Sequence, residues 1–338
     1  MSDRIVIAGA SGFIGGYLAR AFRAEGATVL LIGRRAGPPG RAYAAWGDTA
    51  GITDLLDGAD LLINLAGKSV NCRYIEQNRV EIMRSRVEPT RELTRALRDC
   101  KDPPSLWINS STATIYRHAD DRPMTEVRGE LGEGFSVDVA RAWEEALFDA
   151  DLPGLRRVLL RMAIVLGDGS ALIPLIRLAQ VGLGGSQLDG RWFSTTSRLS
   201  TGTFHRFRTR GCRQRFSWIH IADVLGIIQF LRTHDELDGA INSSSPNPSD
   251  DFTVRRTLRD VLGIPIGLPV RRWVLEIGWM MIQTETELVL KSRWVVPHRL
   301  LDSGYEFDYP ELAPALRDII ATRRRAGRSG GRALPLVD

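Results

Sequence analysis

Arg4-Ile5-Val6-Ile7-Ala8-Gly9-Ala10-Ser11-Gly12-Phe13-Ile14-Gly15 is the stretch on which the reading of this chain turns. Residues 4–8 form a short, continuous apolar run of the kind found in a strand buried on both faces. Residues 13–25 then show helical spacing. Between the two, glycines at positions 9, 12 and 15 make a turn with a specific use. Glycine permits the tight bend, leaves the backbone open where a pyrophosphate approaches, and lets the helix sit close to the sheet. The helix N-terminus attracts the negative charge. Strand, spacing and helix agree, so the stretch predicts a dinucleotide site built from Gly9, Ser11, Gly12, Phe13, Ile14 and Gly15.

Working outward, residues 28–32 read as a second buried strand, ending at Gly33-Arg34-Arg35. A site selective for NAD places an Asp or Glu about twenty residues beyond the loop to hold the ribose hydroxyls. Here two guanidiniums stand in that place, which suits a 2′-phosphate. The expected cofactor is therefore NADP(H) in preference to NAD(H), the other reading of Arg34 and Arg35 being a solvated surface pair. Residues 61–65, 106–108 and 158–165 are further apolar strands, and 80–97 has helical spacing. Continuous apolar strands separated by helices predict an α/β fold, a doubly wound parallel (Rossmann) sheet.

After Gly167 the texture changes. Residues 173–178 look helical, glycines at 182, 184, 185 and 190 mark loops, and Arg191 to Arg215 contains seven arginines and no acid. That run fits a positive lid over a phosphate or carboxylate, with Arg191 as a substrate-side candidate. It also fits a nucleic-acid arm, or a solvated hairpin or oligomer contact. No RNA-binding motif accompanies it, which argues against nucleic acid. Residues 216–221 and 224–231 restore strand and helix, and Asn242 to Pro248 reads as a turn cluster. The expected organisation is a nucleotide-binding half over 1–170 that also receives about 216–245. A smaller α+β substrate-binding region spans 171–215 and 246–322, and 323–338 is expected as a flexible tail.

Composition narrows the class of protein. A chain of 338 residues corresponds to about two structural units. With 43% hydrophobic and 25% charged residues it has the balance of a folded soluble chain. Its 45 Lys+Arg against 40 Asp+Glu leave +5, too diffuse to argue for nucleic acid. Cys72, Cys100 and Cys212 fit neither a disulfide framework nor a zinc pattern, so no metal is expected and a reducing compartment is. Met1-Ser2-Asp3-Arg4 is too short and acidic for a signal peptide. The apolar run 273–282 is interrupted by Glu276 and is shorter than the ~20 residues a membrane span needs. The expected location is cytoplasmic, without a membrane partner.

The Gly-x-x-Gly-x-x-Gly spacing resembles that of extended short-chain dehydrogenases/reductases, and other motifs follow in that family's order. They are Trp46-Gly47-Asp48, Asn64-Leu65-Ala66-Gly67, Ser110-Ser111-Thr112-Ala113-Thr114-Ile115-Tyr116 and Pro123-Met124-Thr125-Glu126. Nearly the whole chain is similar to the epimerase-family, or YfcH-type, branch of atypical members. The supporting motifs are Lys68-Ser69-Val70-Asn71-Cys72-Arg73-Tyr74, Ser85-Arg86, Trp143-Glu144, Phe216-Ser217-Trp218-Ile219-His220-Ile221 and Gly304-Tyr305-Glu306-Phe307. The resemblance implies that Asp48 lies near the adenine and that Leu65, Ala66, Gly67 and Ser110 lie beside the cofactor. It also places Thr112 at the catalytic Ser/Thr position.

The family's Tyr-x-x-x-Lys proton relay is missing. Phe135 and Val139 stand at its two positions. Losing a general acid or base costs about 10²–10⁴-fold in rate, while cofactor placement can survive. Substitutes have to come from elsewhere. Tyr116 could polarise a carbonyl, and Lys68, Arg73 and Arg86 could steer an anion. Arg161 could anchor a phosphate or form a buried ion pair, the latter being favoured. His220 has the chemistry of an acid/base, although its segment reads mainly as structural. Two functions follow. One is an NADP(H)-dependent oxidoreductase or epimerase-like enzyme on an anionic small molecule, a nucleotide sugar among the candidates. The other is a non-catalytic NADP(H)-binding redox sensor or scaffold. A homodimer is a candidate assembly.

Overall fold

Ile5, Val6 and Ile7 are completely withdrawn from solvent because their strand, β1 (Arg4–Ala8), has a neighbour on each side and a helical layer on each face. The computed structural model describes residues 2–35, 43–169, 172–188, 193–200, 204, 207, 209, 213–272 and 291–328. In chain order the N-terminal elements are β1, α1 (Phe13–Ala24), β2 (Thr28–Gly33), β3 (Tyr43–Ala45), α2 (Thr49–Leu56) and β4 (Leu61–Asn64). They continue with α3 (Glu76–Asp99), β5 (Leu106–Thr112), α4 (Phe135–Phe148) and β6 (Arg156–Met162). A later strand, Gly239–Ser243, completes a seven-stranded sheet. The order is Gly239–Ser243, β6, β5, β4, β1, β2, β3, with every neighbouring pair parallel. Winding runs outward from β1 in both directions. The connections leaving the adjacent carboxyl ends of β1 and β4 therefore run in opposite directions, the point where a parallel sheet receives its ligand.

Side chains alternate across the sheet. Ile5 and Ile7 face Leu18 and Phe22 of α1, together with Ile227, Ile228 and Leu231 of the helix Ile221–Thr233. Val6 and Ala8 face Ile52 and Leu56 of α2 and Leu93 and Leu97 of α3. Full burial of each such branched side chain contributes about 1.5–3 kcal/mol, so the sheet is a rigid platform for whatever its upper edge holds. A separate apolar cluster lies outside the sheet's two faces. Ile176, Trp218, Leu258, Leu316 and Ile320 join the helices Leu172–Gln180, Asp251–Leu262 and Leu312–Arg328.

Three differences from the sequence expectations have physical causes. Strand β5 runs to Thr112 rather than ending at Ile108, and its polar residues Asn109, Ser110 and Ser111 are buried. They tolerate burial because partners meet them: Asn64 Nδ2 donates to Asn109 Oδ1 at 2.7 Å and Ser111 Oγ donates to Glu144 at 2.5 Å. Asn242 to Ser245 is likewise buried, its first two residues ending a sheet strand instead of opening a surface turn. Finally, the tail expected from residue 323 is helical through Arg328, with Arg323 paired to Asp168. Leu312, Ala315, Leu316, Ile319 and Ile320 give that helix a buried stripe, which carries the following basic turn along. Residues 329–338, four of the seven arginines of the arginine-rich run (Arg191, Arg206, Arg208 and Arg210) and residues 273–282 lie outside the described residues.

Candidate nucleotide and substrate site

The glycine turn is sterically specified. Gly9 has φ +84°, and a Cβ there would lie 2.7 Å from the Leu65 carbonyl oxygen, so the exits of β1 and β4 touch. A Cβ on Gly15 would lie 2.5 Å from Gly9 O and 2.8 Å from Ala10 Cα. Helix α1 can approach the turn this closely only with hydrogen at that position. Gly12 is its N-cap and supplies no side-chain acceptor, and the first turn carries no carboxylate. The leading N–H groups are thus left to an external acceptor at the positive end of the helix, an arrangement that fits a pyrophosphate. Ser11 is exposed on the same turn. The Phe13 ring reaches the segment that follows β6, where a Cβ on Gly167 would lie 2.6 Å from Phe13 Cζ.

Beside this turn opens a cavity of ≈ 390 Å³. Phe13 and Ile14 form one end and Leu65, Ala66 and Gly67 the floor, while Ser110 and Thr112 come from the end of β5. Asn64 shapes that floor: its Oδ1 accepts from Ala66 N at 3.0 Å while its Nδ2 holds Asn109 and Thr90. Of the cofactor-side residues expected from the sequence, Phe13, Ile14, Leu65, Ala66, Gly67 and Ser110 line the cavity, whereas Gly9, Ser11, Gly12, Gly15, Arg34, Arg35 and Asp48 do not. Arg34 and Arg35 are exposed at the carboxyl end of β2 and make no ion pair among the described residues. Asp48 caps α2, its Oδ1 accepting from Gly51 N at 3.0 Å.

The catalytic-side expectations divide. Phe135 and Val139, one turn apart on α4, do line the cavity, so the relay positions face it and carry no ionisable group. Together with Tyr74 and Ile82 they form an apolar cluster, the Tyr74 and Phe135 rings meeting edge-on at 4.9 Å. Thr112 lines the cavity, and its Oγ1 accepts from Thr114 N at 3.1 Å. Tyr116 does not line it. Its hydroxyl donates to Asn242 Oδ1 at 2.9 Å and accepts from Arg161 Nη1 at 2.9 Å, and burial pushes the phenol pKa up. Arg161 is the ion pair the sequence favoured, bound through Nε and Nη2 to Glu144 at 2.8 and 2.6 Å, which removes it as a substrate anchor.

Lys68 pairs with Glu81 and donates to Asn78 Oδ1 at 2.9 Å, and Arg73 is exposed and does not line the cavity. His220 caps the helix Ile221–Thr233, its Nδ1 accepting from Ala222 N at 3.3 Å while its ring lies 3.9 Å from that of Tyr309. Burial lowers its pKa, and the cavity is elsewhere. Glu144 was legible only as part of the Trp143-Glu144 motif, yet it ties Ser111 of the cavity wall to Arg161. Among the described residues no group of three or more His, Cys, Asp or Glu could hold a metal, and no helix is long and apolar enough to cross a membrane.

A parallel sheet with a Gly-x-x-Gly-x-x-Gly turn at its switch point and a cavity walled by the ends of β4, β5 and α4 defines a nucleotide-binding short-chain dehydrogenase/reductase, here one without the usual relay. The chain belongs to the NAD dependent epimerase/dehydratase family, whose description matches residues 5–177; residues 271–319 match a domain of unknown function, DUF1731. It is similar to the epimerase family protein YfhF of Bacillus subtilis, 29% identical over 326 residues that cover 95% of this chain and 99% of the relative. It is also similar to the epimerase family protein SDR39U1 of Bos taurus, 30% identical over 325 residues, 94% of this chain and 100% of the relative. Among solved structures, human SDR39U1 (isoform 2), crystallised with NADPH, superposes with a TM-score of 0.78 at 26% identity, covering 94% of this chain and 99% of that one.

Proposed function

We propose that this protein binds NADP(H) in preference to NAD(H) and acts as an oxidoreductase or epimerase-like enzyme on a small anionic molecule. The observation that carries the cofactor preference is the Arg34-Arg35 pair at the end of β2, exposed and without a carboxylate partner among the described residues. The NADPH in the human SDR39U1 structure supports the same reading. When bound, the cofactor supplies a hydride donor or acceptor. The chain contributes the backbone cradle at Gly9, Gly12 and Gly15 and the closed floor at Leu65–Gly67. Ser110 and Thr112 bring hydroxyls to the cavity at the end of β5. A cytoplasmic location and a homodimeric assembly belong to this reading, as does the absence of a nucleic-acid or membrane partner.

The second reading, a non-catalytic NADP(H)-binding sensor or scaffold, is favoured by one observation: the relay positions Phe135 and Val139 face the cavity with apolar side chains. A fluorescence titration tests the cofactor assignment. NADPH should bind at least tenfold more tightly than NADH, a difference of ~1.4 kcal/mol, and Arg34→Glu with Arg35→Glu should erase it. Equal affinities in the unaltered protein reject the NADP(H) reading. A cofactor-bound structure separates enzyme from sensor: a nicotinamide C4 surrounded only by apolar groups leaves the sensor.

A further inference from the structure

An anionic substrate needs a cation in the cavity wall, and of the cations singled out by sequence among the described residues all but Arg86 are paired or lie off that wall. Lys68 is paired with Glu81 and Arg161 with Glu144, and neither Arg73 nor His220 lines the cavity. Arg86, on α3, does line it and is the one charged side chain among the described residues that do. Its guanidinium donates from Nη1 to Ile82 O at 2.9 Å and from Nη2 to Lys68 O at 3.0 Å, which leaves three of its five N–H groups. No carboxylate among the described residues lies within ion-pair distance of it. One face lies over the Trp143 ring at 5.2 Å, and a Cβ on Gly67 would sit 3.3 Å from Cζ. Desolvation pulls its pKa down to about 10, against the opposing influence of Tyr74 and Cys72. A guanidinium held in place by two carbonyls and a ring, without a counter-charge, is a costly arrangement that an incoming anion would relieve.

The surroundings narrow the anion. Val70, Tyr74, Ile82, Phe135 and Val139 make the adjacent wall apolar, and among the described residues no second cation lines it. A phosphate dianion would need further charge or a helix N-terminus. Helices α1 and α4 both begin at this cavity, α1 at its Phe13–Ile14 end, which suits the cofactor. Phe135 and Ser136 of α4 line it, but the Val137 and Asp138 N–H groups already donate to Gly134 O and the first turn carries the acid Asp138, which disfavours a dianion. A single planar fork beside an apolar wall matches one carboxylate. We propose that Arg86 anchors the substrate through a carboxylate, and that the substrate is a monoanionic carboxylic acid whose apolar body rests against Phe135, Val139 and Ile82. The inference rests on the reading of the cavity as a cofactor and substrate site.

Benzoate and its neutral isostere benzamide test this by calorimetry, on the protein alone and loaded with NADPH. Benzoate should bind at least tenfold more tightly than benzamide. Arg86→Met should bring the two within twofold, and Arg86→Lys, which keeps the charge, should retain part of the difference. Equal binding of the two probes to the unaltered protein overturns the proposal, as does failure of both to bind or survival of the benzoate preference in Arg86→Met. A tenfold loss of NADPH affinity in Arg86→Met with benzoate binding unchanged also overturns it, by assigning the guanidinium to the cofactor phosphates. Should the unaltered protein fail to bind NADPH, the cofactor reading falls, whereas the probe comparison on the protein alone still decides the role of Arg86.

Discussion

Replacing Gly15 by alanine probes the cofactor turn with a single methyl group. That methyl would lie 2.5 Å from Gly9 O and 2.8 Å from Ala10 Cα, both backbone atoms that cannot rotate aside. Ordinary carbon contacts begin near 3.5 Å, so α1 and the turn have to separate by about 1 Å. Overpacking of this kind costs about 1–3 kcal/mol. Alanine's better helix propensity returns up to ~1 kcal/mol, so the net loss of stability is modest. The functional loss is larger in proportion, because the displaced elements are the two that would grip the pyrophosphate. NADPH affinity should fall at least tenfold while the melting temperature drops by only a few degrees. Gly16→Ala, the next residue of α1 and not part of the cradle, is the control, since its methyl would meet Ala10 O at 3.2 Å, a contact relieved by a few tenths of an ångström. Fluorescence titration and thermal melts measure both quantities. A Gly15→Ala protein that binds NADPH as tightly as the unaltered chain would refute the steric argument.

Two further outcomes are expected. Glu144→Gln leaves the Arg161 guanidinium buried without its counter-charge and should cost about 3–5 kcal/mol by denaturant unfolding, with Glu144→Leu and Arg161→Met together recovering most of it; a loss below 1 kcal/mol would show that the pair is not integral. Burial raises the Asp223 pKa from 3.8 to about 6 although Asp308 N and Tyr309 N donate to its carboxylate at 2.7 and 3.2 Å. A folded-state pKa above the unfolded one means that the native state binds the extra proton. Its contribution is therefore complete below about pH 4 and is lost as pH rises through about 6. Melting temperature measured across that window should show this decline, and Asp223→Asn should flatten it; a decline of equal size in the variant would exclude Asp223 as its source.

Much of the N-terminal part was legible because its information is local. The apolar run of β1, the glycines at 9, 12 and 15 and the start of α1 lie within about twenty residues, and each specifies backbone geometry through its own side chain or lack of one. The last turn of β5 was not legible. Asn109, Ser110 and Ser111 look like loop residues until Asn64 and Glu144, 45 and 33 positions from their respective partners, satisfy them in the interior. The helix Leu312–Arg328 was cut short in the reading because its basic last turns resemble a tail, while the apolar stripe that holds it acts only through packing on Trp218 and Leu258.

The sequence by itself determined the cofactor turn, the arginines beyond β2 and the loss of the relay at Phe135 and Val139, since residue identity alone carries each of these. Only the tertiary structure decided which charges are available for chemistry. Lys68, Arg86 and Arg161 look alike as letters in a chain. Yet Lys68 meets Glu81 along the same side of the site, Arg161 meets Glu144 across from β6 to α4, and Arg86 meets carbonyls and a tryptophan face. Whether a cation is neutralised depends on what lies within about 4 Å of it, and in a folded chain those neighbours come from elements that the sequence keeps apart.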